Sequence, residues 1–263
     1  MDLKIKDKIA LVTASSKGLG KAVALQLSEE GAKVMICSRN SEVLNKTRDE
    51  IIAKTGGVVK TFITDVTNKA QVEKMIDQII DEFNTIDILI CNAGGPPAGM
   101  HDDFSLEDYN NAIELNLLST INLSYKVLPY MKKNKWGRII NITSVSAKQP
   151  INNLILSNTS RAGVLGFAKS LSNQIASYGI TVNSVCPGFT MTDRVKNLAK
   201  TYETSGKGTE NDFYENINNI IPMKRIGTPE EFAQTVCFLA SEGAGYITGV
   251  SLQIDGGYVQ GLF

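Results

Sequence analysis

The chain has 263 residues, of which 43% are hydrophobic and 21% charged, with 27 Lys and Arg set against 27 Asp and Glu. That length fits one large α/β domain able to bury a core unaided. The even charge balance removes any bulk electrostatic argument for binding nucleic acid or a membrane surface.

The opening Met1-Asp2-Leu3-Lys4-Ile5-Lys6-Asp7-Lys8 alternates charge and lacks the apolar stretch of a signal peptide. No run approaches the ~18 apolar residues of a membrane span, so a cytoplasmic protein is the expectation. Cys37, Cys91, Cys186 and Cys237 are scattered, without a C-x-x-C pair or a neighbouring His. They read as small buried hydrophobes, and no metal site is expected.

In chain order, short apolar runs alternate with longer amphipathic stretches. Runs of strand type occupy Lys8–Thr13, Lys33–Cys37, Val58–Ile63, Ile86–Cys91, Arg138–Ile142, Ile180–Val185 and Val250–Ile254. Brief β-branched runs bounded by turn residues indicate strands covered on both faces, as in a parallel sheet. Between them, Leu19–Glu30 places Leu19, Val23, Ala24 and Leu27 on one side, with Gly31 as a stop. Val72, Met75, Ile76, Ile79 and Ile80 form a second stripe, read as core packing. A long helical region over Leu106–Lys133 ends at the basic cluster Lys132-Lys133-Asn134-Lys135, a solvated helix end that suits the macrodipole. Tyr109 and Tyr178 fall at helix-packing positions. The alternation gives one doubly wound α/β domain over 1–263, with about seven strands and helices on both faces. One polar excursion, Thr190–Ile221, breaks the rhythm directly after a strand and reads as a substrate lid.

The segment Thr13-Ala14-Ser15-Ser16-Lys17-Gly18-Leu19-Gly20 follows the first strand and opens the first helix. Glycines there let main chain approach a pyrophosphate, and the helix N-terminus offers free N–H groups. The second strand ends Cys37-Ser38-Arg39-Asn40, without the acid that grips a ribose 2′-hydroxyl in NAD sites. Arg39 and Lys17 are instead two cations able to meet on a 2′-phosphate, which favours NADP over NAD.

Further matches follow in order: Asp65-Val66, Cys91-Asn92-Ala93-Gly94, Asn116, Ser144, Pro187-Gly188, and Tyr246-Ile247-Thr248-Gly249 ahead of Asp255-Gly256-Gly257. Together they resemble the short-chain dehydrogenase/reductases of the 3-oxoacyl-acyl-carrier-protein-reductase type, over nearly the full length. Ala14 stands where that family usually has Gly, an exchange that fits if the residue keeps a negative φ. The resemblance implies a cofactor site of Thr13, Ser15, Ser16, Lys17, Gly18, Leu19, Gly20, Arg39, Asp65, Val66, Asn92, Ala93, Gly94, Arg161, Pro187, Gly188, Phe189, Thr190 and Thr192. Asp65 and Val66 would hold the adenine, and the segment from Pro187 to Thr192 would line the nicotinamide. It implies hydride transfer between nicotinamide and a small carbonyl or alcohol, Ser144 polarising the oxygen and Asn116 anchoring a water relay. It also implies a homo-oligomer, dimer or tetramer, into which the apolar end Tyr258–Phe263 would pack.

The family's Tyr-x-x-x-Lys pair aligns here with Ser157 and Arg161, thirteen and seventeen residues after Ser144. The i,i+4 spacing keeps both on one helix face. An aliphatic hydroxyl is a far weaker acid than a phenol, and it is shorter, so it reaches a carbonyl only through a water. Arg161 stays charged and cannot relay a proton as Lys can, but its planar fork suits ribose hydroxyls, a carboxylate or a phosphate. Three functions remain open on these residues: an NADP-dependent oxidoreductase on a carbonyl, alcohol or imine; a non-catalytic NADP(H)-binding scaffold; and a dehydratase or epimerase in the same pocket. His101, the sole histidine, reads as an exposed loop residue near the pocket mouth.

Overall fold

The computed structural model describes residues 2–262; Met1 and Phe263, the last residue of the apolar end, lie outside the described residues. Seven strands form one parallel sheet: β1 (Ile9–Val12), β2 (Lys33–Ser38), β3 (Val59–Ile63), β4 (Ile88–Cys91), β5 (Gly137–Ile142), β6 (Ile180–Pro187) and β7 (Ser251–Ile254). Each begins and ends within two residues of its apolar run. The order is β3-β2-β1-β4-β5-β6-β7. β1 therefore lies between β2 and β4, and the winding reverses there. In an open parallel sheet this reversal leaves a crevice at the carboxyl ends of the two strands, where ligands bind.

Residue parity along the strands builds two cores. Ala10, Val12, Val34, Ile36, Ile88, Ile90 and Ile140 face one side, against Val23, Ala24 and Leu27 of α1 (Gly18–Glu29), Leu44 and Ile51 of α2 (Ser41–Thr55), and Phe232 and Val236 of α9 (Pro229–Leu239). Leu11, Met35, Leu89, Cys91 and Ile139 face the other, against α3 (Lys69–Phe83), α5 (Ser119–Asn134) and α6 (Ile155–Ile175). All four cysteines are buried free thiols, and burial pushes those of Cys37 and Cys91 up to about 12. Among the described residues no helix is long and apolar enough to cross a membrane, and no cluster of His, Cys, Asp or Glu could hold a metal.

The long region 106–133 is one helical run with an insertion: α4 (Leu106–Ile113), a π turn over Glu114–Leu118, then α5. A π turn adds one residue to a helical turn without ending the helix, so the hydrophobic period gives no warning of it. The excursion after β6 contains two helices, α7 (Asp193–Thr204) and α8 (Glu210–Ile220), the second started by a capping box of Thr209 and Asp212. Its N-terminal end is pinned where Met191 donates to the Gly227 carbonyl at 2.9 Å and Gly227 donates to that of Phe189 at 3.0 Å.

Tyr178 is not a helix-packing residue. It lies in a 3-10 turn, 42% exposed, with the Lys132 ammonium 5.0 Å above its ring. A phenol on an amphipathic surface is satisfied by such a cation and gives the same sequence signal as a packed ring. Tyr109 is half-buried and its hydroxyl meets Nδ1 of exposed His101 at 3.0 Å.

Candidate active site

The turns after β1 and β4 are tied together before any ligand is considered. Thr13 Oγ1 donates to the Asn92 carbonyl at 2.6 Å and accepts from the Asn92 N–H at 2.8 Å. Asn92 Nδ2 donates to the Ala14 carbonyl at 3.1 Å. A Cβ on Gly20 would lie 2.7 Å from both that Ala14 oxygen and Asn92 Nδ2, so only glycine lets α1 approach the turn this closely. Ser15 is buried and shares its hydroxyl with the β1 and β2 carbonyls of Val12 and Cys37.

Ala14 departs from expectation: its φ is +45°, in the left-handed region. The Asn92 bond to its carbonyl helps hold this conformation, which costs an L-residue roughly 1–2 kcal/mol. Gly18 is also left-handed, at +57°. Helices α2, α3, α4, α8 and α9 all carry a side-chain N-cap, whereas α1, α6 and α7 have none. The uncapped N–H groups of α1, with no acid in its first turn, form a donor set suited to a diphosphate. By its chemistry and its closeness the turn fits the dinucleotide expected there.

At the outer end of this cleft, Arg39 is 81% exposed and lies 3.8 Å from Asp65. Asp65 is otherwise occupied in fixing its own loop, accepting from the Thr67 N–H and hydroxyl at 3.0 and 2.8 Å. Val66 is buried in the second core. Lys17 has different neighbours from Arg39. It lines a cleft of about 530 Å³ with Lys196, Asn197, Lys200, Asp193, Glu210 and Tyr214 of α7 and α8.

The second half of the site is built by β5 and α6. Ser144 caps a 3-10 turn over Val145–Ala147, its hydroxyl accepting from the Ser146 N–H at 3.1 Å. Ser157 is buried, and its hydroxyl meets that of Ser146 at 3.1 Å. Arg161 is 8% exposed and faces the floor of the site. Its Nη1 donates to the carbonyls of Ile142 and Thr143 at 3.2 and 2.9 Å, and Nη2 reaches that of Gly94 at 3.5 Å. Both Nη1 hydrogens of the fork are thereby committed to main chain. Burial, with the nearby Arg194 second, pushes the guanidinium down to about 10, so it stays charged at neutral pH. Asn116 sits in the π turn and is buried; its Nδ2 donates to the Ala112 carbonyl at 3.2 Å while Oδ1 has no protein partner. A buried amide oxygen in that state calls for water.

The third wall follows β6. The Gly188 N–H donates to the Ile254 carbonyl at 2.9 Å, and Phe189 meets Tyr258 edge-to-face at 5.6 Å. Thr190 is buried, and Thr192 packs against Gly18, with its side chain 3.8 Å from where a Cβ would stand. Ala93 and Gly94 complete the turn after β4. The structure brings together Thr13, Ala14, Gly20 and Asn92 at one end and Ser144, Ser146, Ser157 and Arg161 at the other, while Lys17 lines a separate cleft and Val66 lies in the core. It adds two that pattern reading missed: Ser146, the partner of Ser157, and Arg194, whose guanidinium lies against Gly95. Both depend on contacts between segments distant from, or turned toward, one another. The one available sequence signal was the second glycine of Gly94-Gly95, which the fingerprint does not need.

A parallel sheet with its winding reversal at β1, a glycine turn bound to the β4 turn and an uncapped α1 define a dinucleotide-binding α/β protein. A sequence family described as enoyl-(acyl carrier protein) reductase matches residues 13–259. The 3-oxoacyl-[acyl-carrier-protein] reductase of Synechocystis sp. is 38% identical over 254 residues, covering 96% of this chain and 97% of its own. The enzyme of that name from Vibrio cholerae is 37% identical, with 97% and 98% covered. Among solved structures, L-sorbose reductase from Gluconobacter frateurii, complexed with NADPH and L-sorbose, superposes with a TM-score of 0.96 at 28% identity, covering all of both chains. YwfH, an NADPH-dependent reductase involved in bacilysin biosynthesis, superposes at 0.92 with 32% identity, covering 98% of this chain and all of its own. The chain belongs to the short-chain dehydrogenase/reductase family of NAD(P)-dependent enzymes.

Proposed function

We propose that this protein is an NADP-dependent oxidoreductase moving hydride between nicotinamide and a small carbonyl or alcohol, with Ser157 and Arg161 in the seats of the family's Tyr and Lys. The observation that carries the reading is the coupled pair of turns, Thr13–Gly20 and Asn92–Gly94, over an uncapped α1. Support for NADP comes from Arg39 at the end of β2, where no acid stands, and from relatives whose structures hold NADPH.

When bound, the cofactor supplies the hydride. The chain's residues do the rest. The α1 N–H groups and the glycine turn would hold the diphosphate, and Arg39 the 2′-phosphate. Asp65 and Val66 would bound the adenine, and Pro187, Gly188, Phe189, Thr190 and Thr192 the nicotinamide. Ser144 would donate to the substrate oxygen, with Asn116 Oδ1 fixing a water behind it. Ser157, bonded to Ser146, delivers a proton only through water. Orientation of donor and acceptor therefore carries more of the rate than acid catalysis does. Residues 190–221 act as the lid. Exposed Leu106, Leu118 and Tyr125 along the α4–α5 run are the surface on which two copies would meet.

Thermal unfolding with each cofactor tests the proposal. NADPH is expected to raise the Tm and NADH to raise it less, and Arg39→Ala should erase the difference. An equal response to both in the natural protein contradicts the NADP assignment, and no response to either contradicts dinucleotide binding altogether.

A further inference from the structure

Two guanidinium groups flank one pair of glycines at the inner end of the cleft. Arg161 reaches the Gly94 carbonyl from below at 3.5 Å. Arg194 lies on Gly95 from the lid side, so close that a Cβ there would stand 1.8 Å from Nη1 and 2.6 Å from Cζ. Gly95 has no positive φ, so its backbone does not call for glycine. What glycine permits at this position is the approach of the arginine. The two cations repel: Arg194 is the second cause, after burial, of the lowered Arg161 pKa.

Among the described residues neither arginine pairs with a carboxylate, whereas Arg39, Arg48 and Arg225 all do. Nor does Arg194 serve its own helix. It occupies the first turn of α7, where a cation opposes the macrodipole and the neighbouring Asp193 is the residue that favours it. Arg194 is exposed to solvent while Arg161 is buried, so an anion seated on Arg194 would also ease the repulsion felt by the guanidinium beneath.

Position separates two anions that could serve. The cofactor diphosphate belongs over the turn at Gly18–Gly20, and the lid residue that packs on this turn is Thr192. Arg194 is turned instead to the turn after β4, against Gly95, whose neighbour Gly94 is joined through Arg161 to Thr143, the residue before Ser144. Nη1 of Arg161 is committed to the carbonyls of Ile142 and Thr143, and Nη2 is turned to that of Gly94. That leaves Arg194 as the fork able to face a ligand. Building on the oxidoreductase reading, we infer that the substrate carries a carboxylate beside its carbonyl and that Arg194 binds it, with Arg161 supplying long-range positive potential from beneath.

The test uses the full chain saturated with NADP+, titrated calorimetrically with pyruvate and with pyruvamide, its neutral counterpart. The expected result is at least ten-fold tighter binding of pyruvate. Arg194→Gln abolishes the difference while the Kd for NADP+ stays within two-fold, and Arg194→Lys restores part of it. Gly95→Ala, which forces the guanidinium off its seat, weakens pyruvate alone. Equal binding of the two probes, or a preference that survives Arg194→Gln, overturns the inference. A large loss of NADP+ affinity in Arg194→Gln also overturns it, because the arginine would then serve the diphosphate. NADPH oxidation measured in parallel keeps the two proposals apart. Selective pyruvate binding without turnover supports the anion seat and contradicts the reductase; turnover of both probes without preference does the reverse.

Discussion

The two halves of the cleft are built on opposite terms. Around β1 and β4, polar contacts join one turn to the other: Thr13 to Asn92 in both directions, and Asn92 to Ala14. Around β5 and α6, the same kinds of groups are spent mostly on their own half. Ser144 caps its own turn, Ser157 meets Ser146, and Arg161 faces main-chain carbonyls. The first half is a rigid seat whose shape is fixed by close approach. The second places the Ser157 hydroxyl and the Arg161 guanidinium on one face of α6, each already bonded within the protein. Binding and chemistry in this fold are thus separable, since each depends on different contacts.

The largest effect that breaks this contrast is steric. Gly20→Ala puts a methyl group 2.7 Å from Ala14 O and Asn92 Nδ2, and no flexible side chain can yield there without breaking the Asn92 bond. Overpacking of this kind costs about 3 kcal/mol. Chemical denaturation should register that loss, and an NADPH titration should show affinity down by more than a hundred-fold. A variant with ordinary stability and ordinary NADPH binding would mean that the two turns are not locked together.

A smaller change sharpens it in the opposite direction. Ala14→Gly relieves an L-residue held at φ +45°, with nothing else altered. The expected gain is about 1 kcal/mol, a Tm rise of roughly 2–4 °C for a domain of this size. A fall in Tm would contradict a left-handed residue 14.

Much of this architecture could be read from the chain because it rests on local rules. Burial on both faces fixed the strands to within two residues, and the glycine turn announced the cleft. What escaped was set by contacts between distant segments or by geometry with no compositional trace. Ala14 takes a positive φ in a turn whose carbonyl is held by Asn92, 78 residues later. Arg194 looks like any helix-surface cation until the fold lays it on Gly95. The π turn that carries Asn116 leaves the helical period almost unchanged. The inward aim of Arg161 follows from carbonyls at the end of β5, which no side-chain pattern encodes.

The account depends most on Ser157 and Arg161 sitting where a phenol and an ammonium would complete the site. NADPH oxidation over a panel of ketones and aldehydes, compared between the natural protein and the double variant Ser157→Tyr with Arg161→Lys, measures that directly. The expected result is a gain of about 10²–10⁴ in the rate of carbonyl reduction, the typical worth of a general acid, and little change in either single variant. Loss in the double variant of a turnover that the natural protein possesses would contradict it, and would make Ser157 and Arg161 a working pair in their own right.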